Sequence, residues 1–451
     1  MCQIFEKDLF VKECFSSIEF GDKRLNKRLE KVAKRMIDNP EVSVPAQMGT
    51  WNEAIGCYRL LNNPHVTHKR VQSSHVMNTR KRAAETNKTI LFIQDGSEIE
   101  TQKSTKGAGP IGNHTVQGIM MHNCLAVEYD EKNPKVIGLA NQRIWKRDDI
   151  ILSRSETRSQ RNKRAGKESE HWLKTLKNIG SPPEKTRWIS IGDRGSDIYE
   201  YIIGSKKTGW ESVTRASQDR LIEVNGEPRY LKEWASSLEI CGSQKIWIRK
   251  GNETKPKEVK TFIAFGTVSI SPPKRLGKKE EPIILSVVRC FNEEEGIDWI
   301  LYSTIPVNSF EEAFEKINWY ATRWTIEEYH KCLKTGCKIE SNQFENVEPV
   351  EVLLGILSIV AILLIQMKQL GRDESNTLAK EVTPDIVLKI ICKRYQLDKE
   401  KITVRDFWRA VAMLGGFLGR KSDKDPGWQT IWRGWSRLLD MWIGAEMLVD
   451  M

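Results

Sequence analysis

The segment Trp319–Lys338, WYATRWTIEEYHKCLKTGCK, spaces its polar residues in a way that solubility alone does not require. Tyr320, Arg323, Glu327, Lys331 and Lys334 follow one another at intervals of three, four, four and three residues. At about 100° per residue of an α-helix, these five side chains fall within an arc of about 80°. Ile326, Tyr329 and Leu333 fall on the opposite side and are expected to face a core. One carboxylate set among three cations and a phenol suits phosphodiester chemistry, with Glu327 holding a divalent ion while Arg323, Lys331 and Lys334 neutralise a nucleic-acid backbone. A solvated helix laced with ion pairs, such as Arg323 with Glu327, has the same composition. Carboxylates elsewhere in the chain must decide between the two.

Two candidates stand where strands would deliver them. TILFIQ, residues 89–94, is a short apolar run ended by Asp95-Gly96, and RWISIG is followed by Asp193. Both runs have the form of buried strands, and neighbouring strands would bring their ends together. Two strand-end aspartates meeting a helix-borne glutamate form a cluster that repels itself unless a divalent cation neutralises it. DRGSDIYEYI then reads as a turn followed by a helix, with Asp197 expected to cap the helix and complement its dipole.

The elements that would position this chemistry follow from the periodicity. Near the N-terminus, Gly21-Asp22 precedes KRLNKRLEKVAKRMID, whose Leu25, Leu29, Val32, Met36 and Ile37 share one helical face while the rest is positive. A second helix opens with Thr50 and Glu53 as a capping box, runs through Trp51, Ile55, Tyr58 and Leu61, projects Arg59, and stops before Asn63-Pro64. Such a pair suits a major-groove reader, although a basic helix is also a common solvated face. A third helical stretch spans 68–85, strands span 117–129 and 135–146, and a polar helix spans 167–179. Between Trp210 and Trp299 the sequence is strand-rich, which reads as a β insertion carrying a basic loop, residues 272–279. Trp299 reads as core, the default for one tryptophan in a chain of fifteen. A helix from Glu348 to Leu370 is expected over the core, and a polar linker at 371–377 precedes a helical C-terminal part. There Trp432, Trp435, Leu438, Leu439, Trp442 and Ile443 recur at helical spacing, apolar surface for the catalytic unit or another chain. Residues 373–400 suggest no role.

Composition is compatible with a polyanion partner. The 451 residues suffice for two to four domains, and 71 Lys plus Arg against 60 Asp plus Glu give a formal charge of +11. The nine cysteines are scattered without a C-x-x-C pair, as expected of a reduced, intracellular protein without a zinc finger. The start, MCQIFEKDLFVKECF, lacks the apolar stretch of a signal peptide. The most apolar run, 352–365, is interrupted by Gly355 and Ser358 and is too short to cross a bilayer, so no membrane association is expected.

Tyr320, Arg323, Glu327 and Lys334 match the Y-(2)-R-(3)-E-(6)-K signature of the insertion-sequence-four family of DDE transposases. FSSIEFGDKRLNKRL and CYRLLNNPHV resemble the family's N-terminal DNA-binding domain, DRGSDIYEYI its second-aspartate block, and LGGFLGRKSD with LDMWIGAEMLV its C-terminal dimerisation region, so the resemblance spans nearly the whole chain.

The resemblance implies an α/β, multi-domain protein: a helical end-binding domain at 1–70, an RNase H-like mixed sheet flanked by helices at 71–372 with a β insertion at about 213–300, and a helical dimerisation domain at 373–451. It implies a cut-and-paste enzyme in which Asp95, Asp193 and Glu327 hold two Mg²⁺ ions, for which Mn²⁺ substitutes. The ends are nicked, converted to hairpins, opened and joined to target DNA. Tyr320, Arg323, Lys331 and Lys334 correspond to residues that grip phosphates near a flipped thymine, and Trp299 to the aromatic on which that base stacks, which overrides its reading as core. Arg215 corresponds to an arginine near the hairpin, and Arg24, Arg28 and Arg59 to contacts with the end sequence. Gly96 and Gly195 depart from the family pattern without removing a ligand. Double-stranded DNA as partner, a homodimer in the synaptic complex and a bacterial cytoplasmic, nucleoid-associated location complete the expectation. A catalytically silent DNA-binding regulator and an RNase H-like nuclease derived from such an enzyme are the alternatives.

Overall fold

The computed structural model describes residues 7–112, 115–148, 167–248, 257–273, 276, 281–372, 376–420 and 423–449. Five helices come first: α1 (Lys7–Phe15), α2 (Lys23–Asp38), α3 (Val44–Met48), α4 (Trp51–Leu61) and α5 (His68–Glu85). The Asp22 side chain caps α2 by accepting the Arg24 N–H, and Leu29, Val32, Met36 and Ile37 are buried, as the apolar period predicts. Thr50 caps α4 by accepting the Glu53 N–H. The Glu53 carboxylate points to Arg28 and Lys31, at 2.9 and 2.6 Å. Trp51, expected on the apolar face of α4, is 73% exposed at the start of that helix.

A large mixed sheet follows. Its first half comprises β1 (Ile90–Glu100), β2 (Gly109–Ile111), β3 (Val116–Glu128), β4 (Lys135–Trp145), α6 (Glu170–Ile179), β5 (Trp188–Gly192), α7 (Tyr199–Lys207) and β6 (Glu211–Arg215). The strand order is β4-β3-β1-β5-β6, with β1 antiparallel to β3 and parallel to β5, and β5 parallel to β6. This arrangement is consistent with an RNase H-like core. The first part of β1, Ile90–Ile93, is apolar on both faces because both are covered there. Leu91 and Ile93 join Ile189, Ile191 and Val213 in one core, whereas Ile90 and Phe92 join Trp172, Trp188 and Tyr201 in the other.

The second half comprises β7 (Leu221–Val224), β8 (Glu227–Tyr230), α8 (Leu231–Ser236), β9 (Gly242–Ile248), β10 (Lys257–Ile270), β11 (Ile283–Asn292) and β12 (Ile297–Ser303). Strand β12 pairs antiparallel with β6, so these strands extend the same sheet, which has 12 strands among the described residues. Most of the expected basic loop at 272–279 lies outside the described residues.

Helices α9 (Phe310–Ala321), α10 (Trp324–Lys331), α11 (Val347–Leu370), α12 (Asp385–Tyr395), α13 (Val404–Leu414) and α14 (Trp428–Val449) complete the described fold. The single helix expected over 319–338 is broken twice. Arg323 N–H bonds to Tyr320 O and Ile326 N–H to Arg323 O, a tight turn between α9 and α10, and Cys332–Gly336 forms a π-turn closed by the Cys337 N–H on Cys332 O at 2.8 Å. The Thr322 hydroxyl donates to Asn318 O, a back-bond that bends helices. Ile326, Tyr329 and Leu333 are nevertheless fully buried.

By length and composition α11 could cross a membrane, but nearly all of its apolar stretch is buried inside the protein. It is apolar all round because it packs against α2, α4, α5, β4 and α14. Of the expected C-terminal stripe, Trp432, Trp435, Leu438 and Leu439 are buried, whereas Ile443 is 48% exposed. The Trp435 face lies close to α13 because glycines sit at the crossing: a Cβ on Gly434 would stand 1.7 Å from Val411 O. Gly434→Ala is therefore expected to cost about 1–3 kcal/mol through overpacking. Gly444→Ala on the same helix, with nothing within 4 Å, is expected to be neutral or mildly stabilising, and urea midpoints of the two variants check the pair.

Candidate active site

Strand β1 does not end at Asp95 as expected; it continues to Glu100 because β3 keeps pairing with it as far as Glu100 opposite Gly118. The parallel ladder with β5, however, stops at Gln94 opposite Gly192. Asp95 and Asp193 are thus the next residues on adjacent parallel strands. Side chains alternate along a strand, and Leu91, Ile93, Ile189 and Ile191 occupy one core, so both aspartates face the side of the sheet on which Ile326 and Tyr329 of α10 pack. Glu327 comes from the first turn of α10 onto that face. Asp193 also caps the turn after β5, accepting the Gly195 N–H at 2.7 Å, and Asp95 accepts the Gly96 N–H at 2.8 Å.

The three acids lie close enough to feel one another. Burial first, then Asp193 and also Glu327, push the Asp95 carboxyl up to about 7, against the opposing pull of Arg323 and the Gly96 N–H. Arg323 lies between two of the three, with Nη1 3.5 Å from Asp95 Oδ2 and Nη2 2.5 Å from Glu327 Oε1. Among the described residues no three His, Cys, Asp or Glu side chains close into a metal-ligating group. Instead the guanidinium holds the space between Asp95 and Glu327. The donor set nevertheless suits a divalent ion: hard oxygen ligands from three elements, one carrying a carboxyl whose ionisation its neighbours oppose.

A wall of aromatic and cationic side chains adjoins the acids. Trp299 of β12 meets Tyr320 of α9 edge-on, with ring centroids 5.1 Å apart. The Arg215 guanidinium, at the end of β6, lies 5.9 Å from the Trp299 ring and 6.0 Å from the Tyr320 ring, and Arg323 lies 5.8 Å from Tyr320. Trp299 is partly exposed and so is not simply core. Arg215, Trp299, Tyr320 and Arg323 are therefore brought together beside Asp95 and Glu327. Lys331 is exposed one turn beyond Glu327, and Lys334 pairs with Glu340 at 3.3 Å. In the N-terminal helices Arg24 pairs with Asp22 at 2.9 Å, Arg28 pairs with Glu53, and Arg59 is exposed.

Asp197 is not a helix cap. Its side chain is fully buried, pairs with Arg220 at 2.7 Å, and accepts the Ser217 and Gln218 N–H groups, which pins the chain beyond β6. A long-range arginine has outcompeted the local dipole. Residues that sequence reasoning missed support the two aspartates from behind. Gln94 donates to Ser190 Oγ at 2.9 Å and its Oε1 bonds to His122 Nε2, while Ser190 bonds to the Tyr201 hydroxyl, so β1 is tied to β5 just before Asp95 and three residues before Asp193. A polar residue in an otherwise apolar strand was the available signal.

Two regions of the chain match known families. Residues 7–66 match the transposase DNA-binding family model, and residues 158–364 match the transposase DDE domain model. The second match contains Asp193 and Glu327 and begins after Asp95. Together they support a DDE transposase, whose partner is DNA and whose class generally uses divalent metal ions.

The raised carboxyl has a defined sign. Folding favours protonated Asp95, so its stability contribution is full below the ordinary value near 3.8 and is lost as pH rises towards about 7. Asp95→Asn is expected to stabilise the protein without added divalent ions at neutral pH, on the order of 1–3 kcal/mol, and to flatten the pH slope between these values. Denaturant midpoints measured across that range check it.

Proposed function

We propose that the protein is a cut-and-paste transposase of the insertion-sequence-four family that binds transposon ends, cleaves them through a DNA hairpin and joins them to target DNA. The observation that carries this reading is the placing of Asp95 and Asp193 side by side at the end of a shared parallel ladder, with Glu327 and Arg323 brought down onto them.

Asp95, Asp193 and Glu327 are the proposed ligands of two Mg²⁺ or Mn²⁺ ions. When bound, these supply Lewis acidity that makes the attacking hydroxyl a better nucleophile and stabilises the leaving oxygen. The chain's own residues position the DNA. Two carboxylates are fixed on a sheet and cannot drift apart, whereas the third rides on a short helix. Arg323 bridges Asp95 and Glu327 and is the cation nearest to an entering phosphate, so its guanidinium turns from carboxylate to phosphate as DNA enters. Lys331 and Lys334 continue that cationic line along the backbone. Trp299, backed by Tyr320 and Arg215, offers a face on which an extruded base stacks, a contact worth about 1–3 kcal/mol. Such a plate favours the extruded base and so speeds the tight bend that closes a hairpin. Arg24, Arg28 and Arg59 contact the end sequence. The exposed Met441, Ile443 and Met447 of α14 supply apolar surface for a second copy, so that each end is held by one subunit and cut by the other. A bacterial cytoplasmic setting at the nucleoid fits these partners.

A supercoiled plasmid carrying the element's own inverted ends, incubated with the protein and Mg²⁺, is expected to yield excised fragments closed by hairpins. Glu327→Ala is expected to lose at least about 1,000-fold in cleavage while end binding changes less than about threefold. Uncut plasmid on which the wild-type protein occupies the ends, or cleavage unchanged by Glu327→Ala, refutes the catalytic assignment. Trp299→Ala is expected to slow hairpin closure by about 5- to 150-fold with first-strand nicking retained, the stacking energy expressed as a rate. Gel separation of nicked and hairpin species checks it.

A further inference from the structure

Behind the carboxylates runs a buried row of neutral polar side chains. Asp95 of β1 lies opposite Asn123 of β3, and Asn123 lies opposite Gln142 of β4. Asp95 and Asn123 are antiparallel partners and so share a sheet face. From that face Asn123 Nδ2 reaches His330 Nε2 on α10 at 2.8 Å. His330 is one helical turn from Glu327, so the hydrogen bond joins the strand partner of one acid to the helix that carries another.

The row has a fixed direction. Gln142 Nε2 donates to Asn123 Oδ1 at 2.6 Å, which leaves the Asn123 amide N–H group to donate to His330. His330 Nε2 must then accept, as a neutral ring; burial, together with Lys334 and Arg323, pushes its imidazole down to about 3. Gln142 is anchored in turn: its Oε1 accepts from Gln72 Nε2 of α5 at 2.7 Å and lies 2.7 Å from His68 Nε2, and Ser358 Oγ of α11 stands 3.0 Å from its Nε2 and 3.1 Å from its Oε1. Asn123, Gln142 and His330 are all at most 9% exposed. In such surroundings a broken link leaves an unsatisfied polar group, so the row resists sliding. The turn at Thr322–Arg323 and the π-turn after Lys331 interrupt the helix on either side of α10. The backbone alone therefore does not fix where Glu327 stands.

We infer that Asn123 and His330 are positioning residues, whose hydrogen bond sets the distance between the strand-borne acids and Glu327 for joint binding of divalent ions. This rests on the proposed role of the three carboxylates. The row touches neither DNA nor metal and acts through Glu327, in the way partners behind a ligand govern metal affinity.

The test uses the full chain assembled on a duplex carrying the element's own inverted end, with calorimetric Mn²⁺ titration and steady-state cleavage as separate readings. His330→Leu is expected to weaken Mn²⁺ binding about 10- to 100-fold and to lower kcat comparably, with KM for end DNA within about threefold of wild type. His330→Gln restores an acceptor for the Asn123 N–H group and is expected to recover both readings to within about threefold. Asn123→Leu, similar in volume, is expected to reproduce the His330→Leu losses and serves if that variant does not fold. Wild-type Mn²⁺ affinity in either leucine variant overturns the inference, as does a glutamine variant no better than leucine, which would make lost packing the cause. Active Glu327→Ala would sink the carboxylate assignment itself, whereas inactive Glu327→Ala beside unaffected His330→Leu and Asn123→Leu would sink only the positioning role.

Discussion

Like charges that converge in a partly buried site push one another apart, and the architecture around Asp95, Asp193 and Glu327 answers that repulsion. Two of the acids are fixed by the β1–β5 register, in which each follows the last paired residue of its strand. The third is drawn in by Arg323, which reaches both Asp95 and Glu327. Asp95 still resists ionisation, first because it is buried and then because Asp193 stands beside it. Under the proposed reading the divalent ions would relieve this repulsion, so the feature that lowers the stability of the protein would also supply affinity for them.

The rest of the fold holds this imbalance in place. Each sheet face has its own apolar core, so β1 and β5 cannot twist or slide relative to one another without exposing buried side chains. Helix α11 backs the site from within and contributes Ser358 to the polar row that ends at His330. The strands from β7 to β12 extend the sheet past β6 and carry Trp299 to the flank of the carboxylates, where Arg215 and Tyr320 brace it. Charge, aromatic face and cationic line thus come from distant parts of one continuous sheet and the helices on it.

Much of this was legible in the sequence, because short apolar runs ending in an acid encode both a strand and its useful residue. Ile326, Tyr329 and Leu333 were legible as a buried face, but Tyr320, which the same spacing places on the polar arc, is 4% exposed and joins the core, because the helix breaks just after it. The end of β1 was not, since it depends on β3 continuing beside it. Nor was the break at Thr322, because helical periodicity does not register a hydroxyl that bonds back to Asn318. Asp197 looked like a cap because capping is local, whereas its partner Arg220 arrives from beyond β6. Trp299 reads as core by composition, and only the resemblance pointed to the site. The Asn123–His330 contact joins residues 207 positions apart, beyond the reach of any local pattern.

The most direct measurement is anomalous diffraction from Mn²⁺ in crystals of the protein bound to its own end duplex. Manganese peaks coordinated by carboxylate oxygens of Asp95, Asp193 and Glu327, with Arg323 turned to the DNA backbone, are the predicted result. Manganese bound elsewhere, or Glu327 still held by Arg323 with no ion beside the two aspartates, would contradict a shared metal site.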